Sequence, residues 1–298
     1  MQMIMEPVYI ERTETVDAAR LKELGLPALI GNANMLRRMS RMVRMGVAAG
    51  MLCLDGIPND AIGAIVTATC LGGLEDTEKF LAEISERNEA GLNPTPFMRS
   101  VFNTVGAQIA LLKGIKVYNV TYVHRTASFE NALSDALMLI SEGRRNVLAG
   151  AFDEMTPSSV TVKERLGLYR HGRHPGEGAS FFLLSDRLSD RSSDRSSGSL
   201  LSRPLALLYG VDVFRGSMSE EETRVHMSGF IASHGVPESD VEIIDGSVYR
   251  ALYGEWGTVS ARILSEVAVS MSGRGSRYAL LHNCSDGLTH SMILIGKA

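Results

Sequence analysis

Apolar and polar positions along the chain change period in a way that separates strands from helices. Between residues 115 and 123 the run IKVYNVTYV is β-branched and aromatic, as in a buried strand. After a break at His124-Arg125-Thr126, residues Phe129, Ala132, Leu133, Ala136, Leu137 and Ile140 recur at helical spacings of three and four. They draw an apolar stripe down one helix face. Ser128 is placed to cap that helix and Gly143 to end it. The run NVLAGAF at 146–152 then predicts the next strand. A strand, a tight turn, a helix and a strand in that order present one side chain at a helix N-terminus. Free N–H groups and the helix dipole favour negative charge there. His124 and Thr126 are the candidates for that elbow position, and the turn contains no cysteine.

The same reading gives a strand at 7–10 and a helix over 35–54 whose apolar faces leave a stripe of Arg37, Arg38, Arg41 and Arg44. That stripe reads as a solvated rim. A core strand at 61–70 precedes a helix at 77–90. Pro94 and Pro96 open a loop, and a further helix over 97–112 stops at Gly114. Residues 156–174 are polar and predict a loop at the mouth of a pocket, because His171 and His174 lack the spacing of a metal pair with a third ligand. The tract LSDRSSDRSSGSLLS at 188–202 is of low complexity and predicts a surface connection. Beyond it come strands at 205–214, 241–244 and 278–282, with helices at 219–233 and 260–271. Strands and helices alternate on both sides of the polar tract, which indicates the α/β class.

Composition narrows the functions open to such a chain. Its 298 residues, 45% apolar, suffice for one large domain or two closely joined ones. A net charge of −4 gives no general attraction to nucleic acid or to an anionic membrane. No apolar run reaches the roughly 20 residues of a membrane helix, and the first residues lack an export pattern. The expectation is a cytoplasmic protein. Cys53, Cys70 and Cys284 are odd in number and scattered, so they read as reduced thiols without metal. Cys284 alone stands beside a motif-like loop.

In the block 119–185 the text VTYVHRTASFENALSDAL, followed by VLAGAFDE and then by Gly176-Glu177-Gly178-Ala179, resembles the β-ketoacyl synthase family. In that family a strand enters a Thr-Ala-Cys-like turn and an Ala-rich helix. Asn283-Cys284-Ser285-Asp286-Gly287 is similar, more loosely, to its Gly-Phe-Gly-Gly loop. The likeness implies a thiolase-like fold: two similar α/β halves in a layered αβαβα arrangement, here with shortened loops. The expected division is 1–187 for the first half, 188–203 for the connection and 204–298 for the second half. No cofactor or metal is implied.

The resemblance also says what is missing. Decarboxylative condensation in that family uses a cysteine thiolate, two histidines and helix-end N–H groups. Here the matching places carry His124 or Thr126 at the elbow, Asp245-Gly246-Ser247 after a strand, and Gly257-Thr258 before a small-residue helix. No lysine occurs between Lys163 and Lys297, where the family places one. The expectation is a non-catalytic partner, similar to a chain-length factor and to the short ketosynthase-like proteins of aryl-polyene and flexirubin-type clusters. It would join an active ketosynthase as a heterodimer, or itself as a homodimer, through Asn119, Val120, Thr121, Tyr122 and Val123. An acyl carrier protein docking on the arginine stripe is a further candidate partner. The alternative is an acyltransferase or condensing enzyme with altered residues, using His124, Thr126 or Cys284.

Overall fold

The apolar runs become nine strands, described here in a computed structural model covering residues 6–170, 172–186, 203–284 and 287–298. The first half runs from β1 (Val8–Val16) through helices α1 (Ala18–Glu23), α2 (Leu26–Ile30), α3 (Ala33–Arg38) and α4 (Arg41–Cys53) to β2 (Ala64–Ala68). Next come α5 (Leu74–Glu86), α6 (Pro94–Ser100), α7 (Thr104–Lys113) and β3 (Tyr118–Tyr122). Helix α8 (Ser128–Ser141), β4 (Val147–Asp153), α9 (Pro157–Arg165) and β5 (Gly178–Ser185) complete it. The second half contains β6 (Ala206–Arg215), α10 (Glu220–Ser233), β7 (Val241–Asp245), α11 (Gly246–Tyr253), α12 (Val259–Ser270), β8 (Tyr278–Cys284) and β9 (Thr289–Gly296). The connection expected at 188–203 falls, apart from Arg203, outside the described residues.

The strand order is β3-β2-β4-β5-β1-β6-β9-β8-β7. In the first half β3, β2 and β4 are parallel, and β5 runs antiparallel to both β4 and β1. In the second, β7 and β8 are parallel, and β9 runs antiparallel to both β8 and β6. Thus β7-β8-β9-β6 repeats β2-β4-β5-β1 in order and direction. The difference is one strand. Among the described residues nothing in the second half answers to β3, and β7 is left at the sheet edge. Helix α8 follows β3, whereas α12 follows a short irregular run at 254–258.

Side-chain alternation places the core. Ala64, Val66, Ala149, Phe182, Leu281 and Ile293 point inward to a cluster shared with Phe129 and Leu133 of α8 and Ile263 and Leu264 of α12. Their neighbours Ile65, Leu148, Phe181 and Leu183 face outward onto α4 and α7. Leu280, Met292 and Leu294 pack in the same way against Phe230 and Ile231 of α10. Helix, sheet, helix, sheet, helix is the layered arrangement expected. Strands covered on both faces need near-continuous apolar runs, and these have them.

Some expected elements are divided. The helix read at 35–54 breaks at Met39-Ser40, and the one at 97–112 breaks between Val101 and Asn103. Pro94 starts α6 at its first turn, where its missing N–H costs nothing, instead of opening a loop. The polar stretch at 156–174 contains α9, whose start is a capping box between Thr156 and Ser159. Among the described residues no helix is long and apolar enough to cross a membrane.

Candidate functional site

The N-terminus of α8, the carboxyl end of β2 and the run 255–257 meet around a cavity of about 400 Å³. Its floor is the turn before α8. Arg125 there adopts φ 55°, a left-handed conformation uncommon outside glycine and costly for a long side chain. The Ser128 hydroxyl holds the turn: it accepts from the His124 N–H at 2.8 Å and donates to the Arg125 carbonyl at 2.7 Å. Ser128 therefore staples the turn rather than capping the helix, whose own N-cap, Ala127, has no side-chain bond. Gly143 ends the helix as expected, at φ 92°.

Of the residues singled out in the sequence, Thr126 lines the cavity and His124 does not. His124 is exposed, with its ring edge-on to Tyr122 at 5.9 Å. Thr258 starts α12 beside the cavity wall, but its hydroxyl is committed to Asp153 at 2.7 Å. Ser247 is exposed at the start of α11 and bonds Asp245 at 2.6 Å. Burial alone would raise the Asp245 carboxyl, but the Ser247 hydroxyl and N–H, with Arg250, hold it below its usual range. Thr126 and the Trp256-Gly257 wall are brought together; His124 and Ser247 stay outside.

Asp153 is the centre of the assembly. One oxygen accepts from the Thr69 hydroxyl at 2.8 Å and from the N–H groups of Cys70 and Leu71 at 2.9 and 3.2 Å. The other accepts the N–H and hydroxyl of Thr258 at 3.1 and 2.7 Å. One carboxylate thus ties the ends of β4 and β2 to the first turn of α12. Burial pushes its carboxyl up, and the five donors pull against that.

Sequence reasoning treated Cys70 as a bland thiol and missed Arg125, Lys163 and Tyr169, all of which line the cavity. Cys70 follows the carboxyl end of a parallel strand, where α/β sheets build their sites, and that position was the available signal. Its thiol is pushed up to about 12 by burial and by Asp153, so it is not a thiolate at neutral pH. A side chain on Gly257 would overlap Cys70, which explains the glycine.

A second cluster lies at the ends of β8 and β9. His282 Nε2 is 3.1 Å from His290 Nδ1, and Cys284 Sγ is 3.8 Å from His290 Nε2. The His290 ring stacks on Phe214 at 4.9 Å. Burial, helped by His290, lowers His282 to about 4, so it is neutral at pH 7. The arginine stripe is not all solvated, as it was read to be. Arg41 pairs with Glu177 of the Gly-Glu-Gly-Ala segment, lies 3.7 Å from Glu154 and donates to the Met155 carbonyl. Arg37 and Arg38 are exposed.

Glu130 of α8 is fully buried between the layers. One oxygen accepts from Ser291 at 2.8 Å, while the other has only the Ser260 hydroxyl near it, without a well-formed hydrogen bond. Burial raises its carboxyl above the ordinary range, against the Ser260 and Ser291 hydroxyls. Ionisation is therefore disfavoured in the fold, and stability falls as pH rises from the unfolded value through the folded one. Glu130→Gln removes this cost and offers a donor to Ser260. Urea unfolding should show the variant about 1–2 kcal/mol more stable at pH 8, the gain fading towards pH 4.

Residues 19–165 match the family model described as "Beta-ketoacyl synthase, N-terminal domain". No curated protein matches the sequence. Among solved structures the chain is similar to a type II polyketide ketosynthase in complex with its acyl-carrier protein and bound to the hexaketide, with 13% identity and TM-score 0.76 over 98% of this chain and 100% of that one. The ishigamide ketosynthase/chain length factor follows, with 15% identity and TM-score 0.74 over 98% and 99%. The ketosynthase ApeO in complex with its chain length factor ApeC, from Xenorhabdus doucetiae, gives 14% identity and TM-score 0.57 over 99% and 100%. At such identities the structural likeness carries the fold, and the family model carries the kinship. Residues 19–165 thus match a β-ketoacyl synthase N-terminal domain, and the chain as a whole has the thiolase-like fold of the ketosynthases it resembles.

Proposed function

We propose that this chain is a non-catalytic, chain-length-factor-like subunit that pairs with an active β-ketoacyl synthase in fatty-acid or polyketide-type biosynthesis. The observation that carries the reading is the occupancy of the three reactive positions. Thr126 stands at the elbow, Ser247 is bonded to Asp245, and Thr258 is bonded to Asp153. A threonine hydroxyl without an imidazole to take its proton is a poor nucleophile, and neither other position can stabilise a carbanion as a histidine does.

The partner would dock on β3, through Asn119–Val123. That strand pairs with β2 on one side and ends the sheet on the other, with no proline or inward charge to block addition of a strand. Helix α7 packs on β3, and the segment just before it exposes Phe97, Met98, Val101 and Phe102, an apolar flank suited to an interface. Several of the structurally similar proteins are themselves ketosynthase complexes with a chain length factor or a carrier protein, which supports such a partner. Co-expression with an active condensing enzyme is the test. A stable heterodimer with altered condensation rate or product length is expected. A chain that stays alone and changes neither overturns the reading.

The contact between Cys284 and His290 favours one alternative, acyl transfer through that thiol. Incubation with acyl carrier thioesters followed by intact mass would show an adduct of one acyl group, lost in Cys284→Ala.

A further inference from the structure

The sheet has two open ends, and the internal repeat sets them apart. In the first half β2 is covered by β3. In the second the equivalent strand, β7, has β8 on one side and, among the described residues, no strand on the other. Its outer edge keeps a row of backbone N–H and C=O groups without ladder partners. Val241–Asp245 holds no proline and no lysine to blunt that edge, and its two acids are occupied. Glu242 accepts from Arg274 at 2.7 Å, and Asp245 from the Ser247 N–H and hydroxyl at 2.8 and 2.6 Å.

Exposure along the strand alternates with the pleat. Ile244 is buried in the core between the layers, and Val241 packs on the outer cluster of α10. Ile243, on the same face as Val241, is 49% exposed. Helix α11 follows the strand directly and exposes Val248 and Leu252, four residues apart and so on one helix face. An open strand edge with an apolar centre and an apolar helix face at its end is suited to receive another strand.

The sequence of β7 selects the occupant. In an antiparallel pair related by a two-fold axis normal to the sheet, opposed residues share a face, so one residue must meet its own copy. Centring the axis on Glu242 sets two carboxylates directly opposite each other, which is destabilising. Centring it on Ile244 sets Asp245 against Ile243 and leaves Val241 and Glu242 outside the pairing. Centring it on Ile243 uses the whole strand: Ile243 meets Ile243, Glu242 meets Ile244 and Val241 meets Asp245. No like charges are opposed. The two Glu242 side chains stand diagonally, about 7–8 Å apart, each with its own Arg274. The axis also keeps the inner and outer helix layers on matching sides, so the layered core continues across the pair.

We propose that β7 is a self-association edge, through which two copies of this chain join antiparallel along Val241–Asp245, centred on Ile243. The far edge, β3, stays free for another partner. The pairing does not rest on the ketosynthase reading, since it is measured on this chain alone.

Five residues a side is small against the roughly 20–30 of a standard interface, so a weak dimer with Kd on the order of 10–100 µM is expected. Sedimentation velocity across that concentration range should show a monomer–dimer equilibrium. Ile243→Lys sets two ammonium groups face to face at the centre and should weaken the dimer at least tenfold. Because that side chain is half exposed, the variant should melt as the wild type does. Ile243→Cys gives a second reading. With a short bis-maleimide it should form a covalent dimer, because the residue lies about 5 Å from its copy. Ser239→Cys, about 26 Å from its copy in this register, should not. The wild type treated alike controls for Cys53, Cys70 and Cys284. A monomer throughout the range, a dimer indifferent to Ile243→Lys, or cross-linking of Ser239→Cys as complete as that of Ile243→Cys would each overturn the assignment. So would a dimer abolished by Val120→Lys on β3, which would place the pairing at the other end of the sheet.

Discussion

Asp153→Ala should lower the stability of the protein by about 3–5 kcal/mol in urea unfolding. The carboxylate, at the end of β4, is 3% exposed and accepts from five donors on two other segments, residues 69–71 and Thr258. Removing it leaves the Cys70 and Leu71 N–H groups and both Thr258 donors facing a void that water would have to fill. Each abandoned buried donor costs about 1–3 kcal/mol, and relaxation recovers part of the sum. Asp153→Asn should fall between the variant and the wild type. Every partner donates, so an amide can satisfy one side of the fork and must present its NH₂ to donors on the other. Because α12 begins at Thr258, the loss should also loosen the cavity wall and shift Trp256 emission. A cost below about 1 kcal/mol for alanine would mean that the five contacts do not hold the two halves together.

How much of this was legible in the sequence depends on whether a feature leaves a period. The strand at 118–122, helix α8 and strand β4 were readable because their apolar spacing switches from a continuous run to intervals of three and four and back. Helix α9 was not. Its residues PSSVTVKER are mostly polar, and its signal is a capping box and a first-turn proline rather than a stripe. Helix α11 has eight residues and starts on an Asp245 cap that reads equally well as a turn. The strand missing from the second half could not be seen at all, since an absence leaves no pattern. Thr126 and Thr258 were found through the family likeness, whereas Lys163 and Arg125 were not. Both are ordinary surface residue types in the linear text. What sets them apart is facing one another across a cavity that α9 and the 255–257 run enclose.

That missing strand makes Arg250→Met the second large effect. The first half joins α7 to α8 through β3, which the sheet holds in place. The second half joins α11 to α12 through residues 254–258, with a single bridge between Pro175 and Glu255 in place of a ladder. Gly254, at φ 98°, and Gly176 let the two backbones touch, and the Trp256 ring lies over Gly176. Arg250, 3% exposed, does the rest: it reaches Glu255 at 3.2 Å, the side chain of Asn283, and the Cys284 carbonyl at 3.0 Å. One guanidinium fork thus fixes the irregular run to the end of β8. Methionine fills similar space but leaves the partly buried Glu255 with only the longer Arg173 contact, and two acceptors with none of Arg250's bonds. Breaking one side of a buried pair costs about 3–5 kcal/mol, so a loss of that size is expected. Arg250→Lys should recover little, because one ammonium cannot reach three acceptors spread across a planar fork. Trp256 should become more exposed and its emission move to longer wavelength. If the methionine variant kept both stability and emission, the run 254–258 would owe its position to the glycine contacts alone.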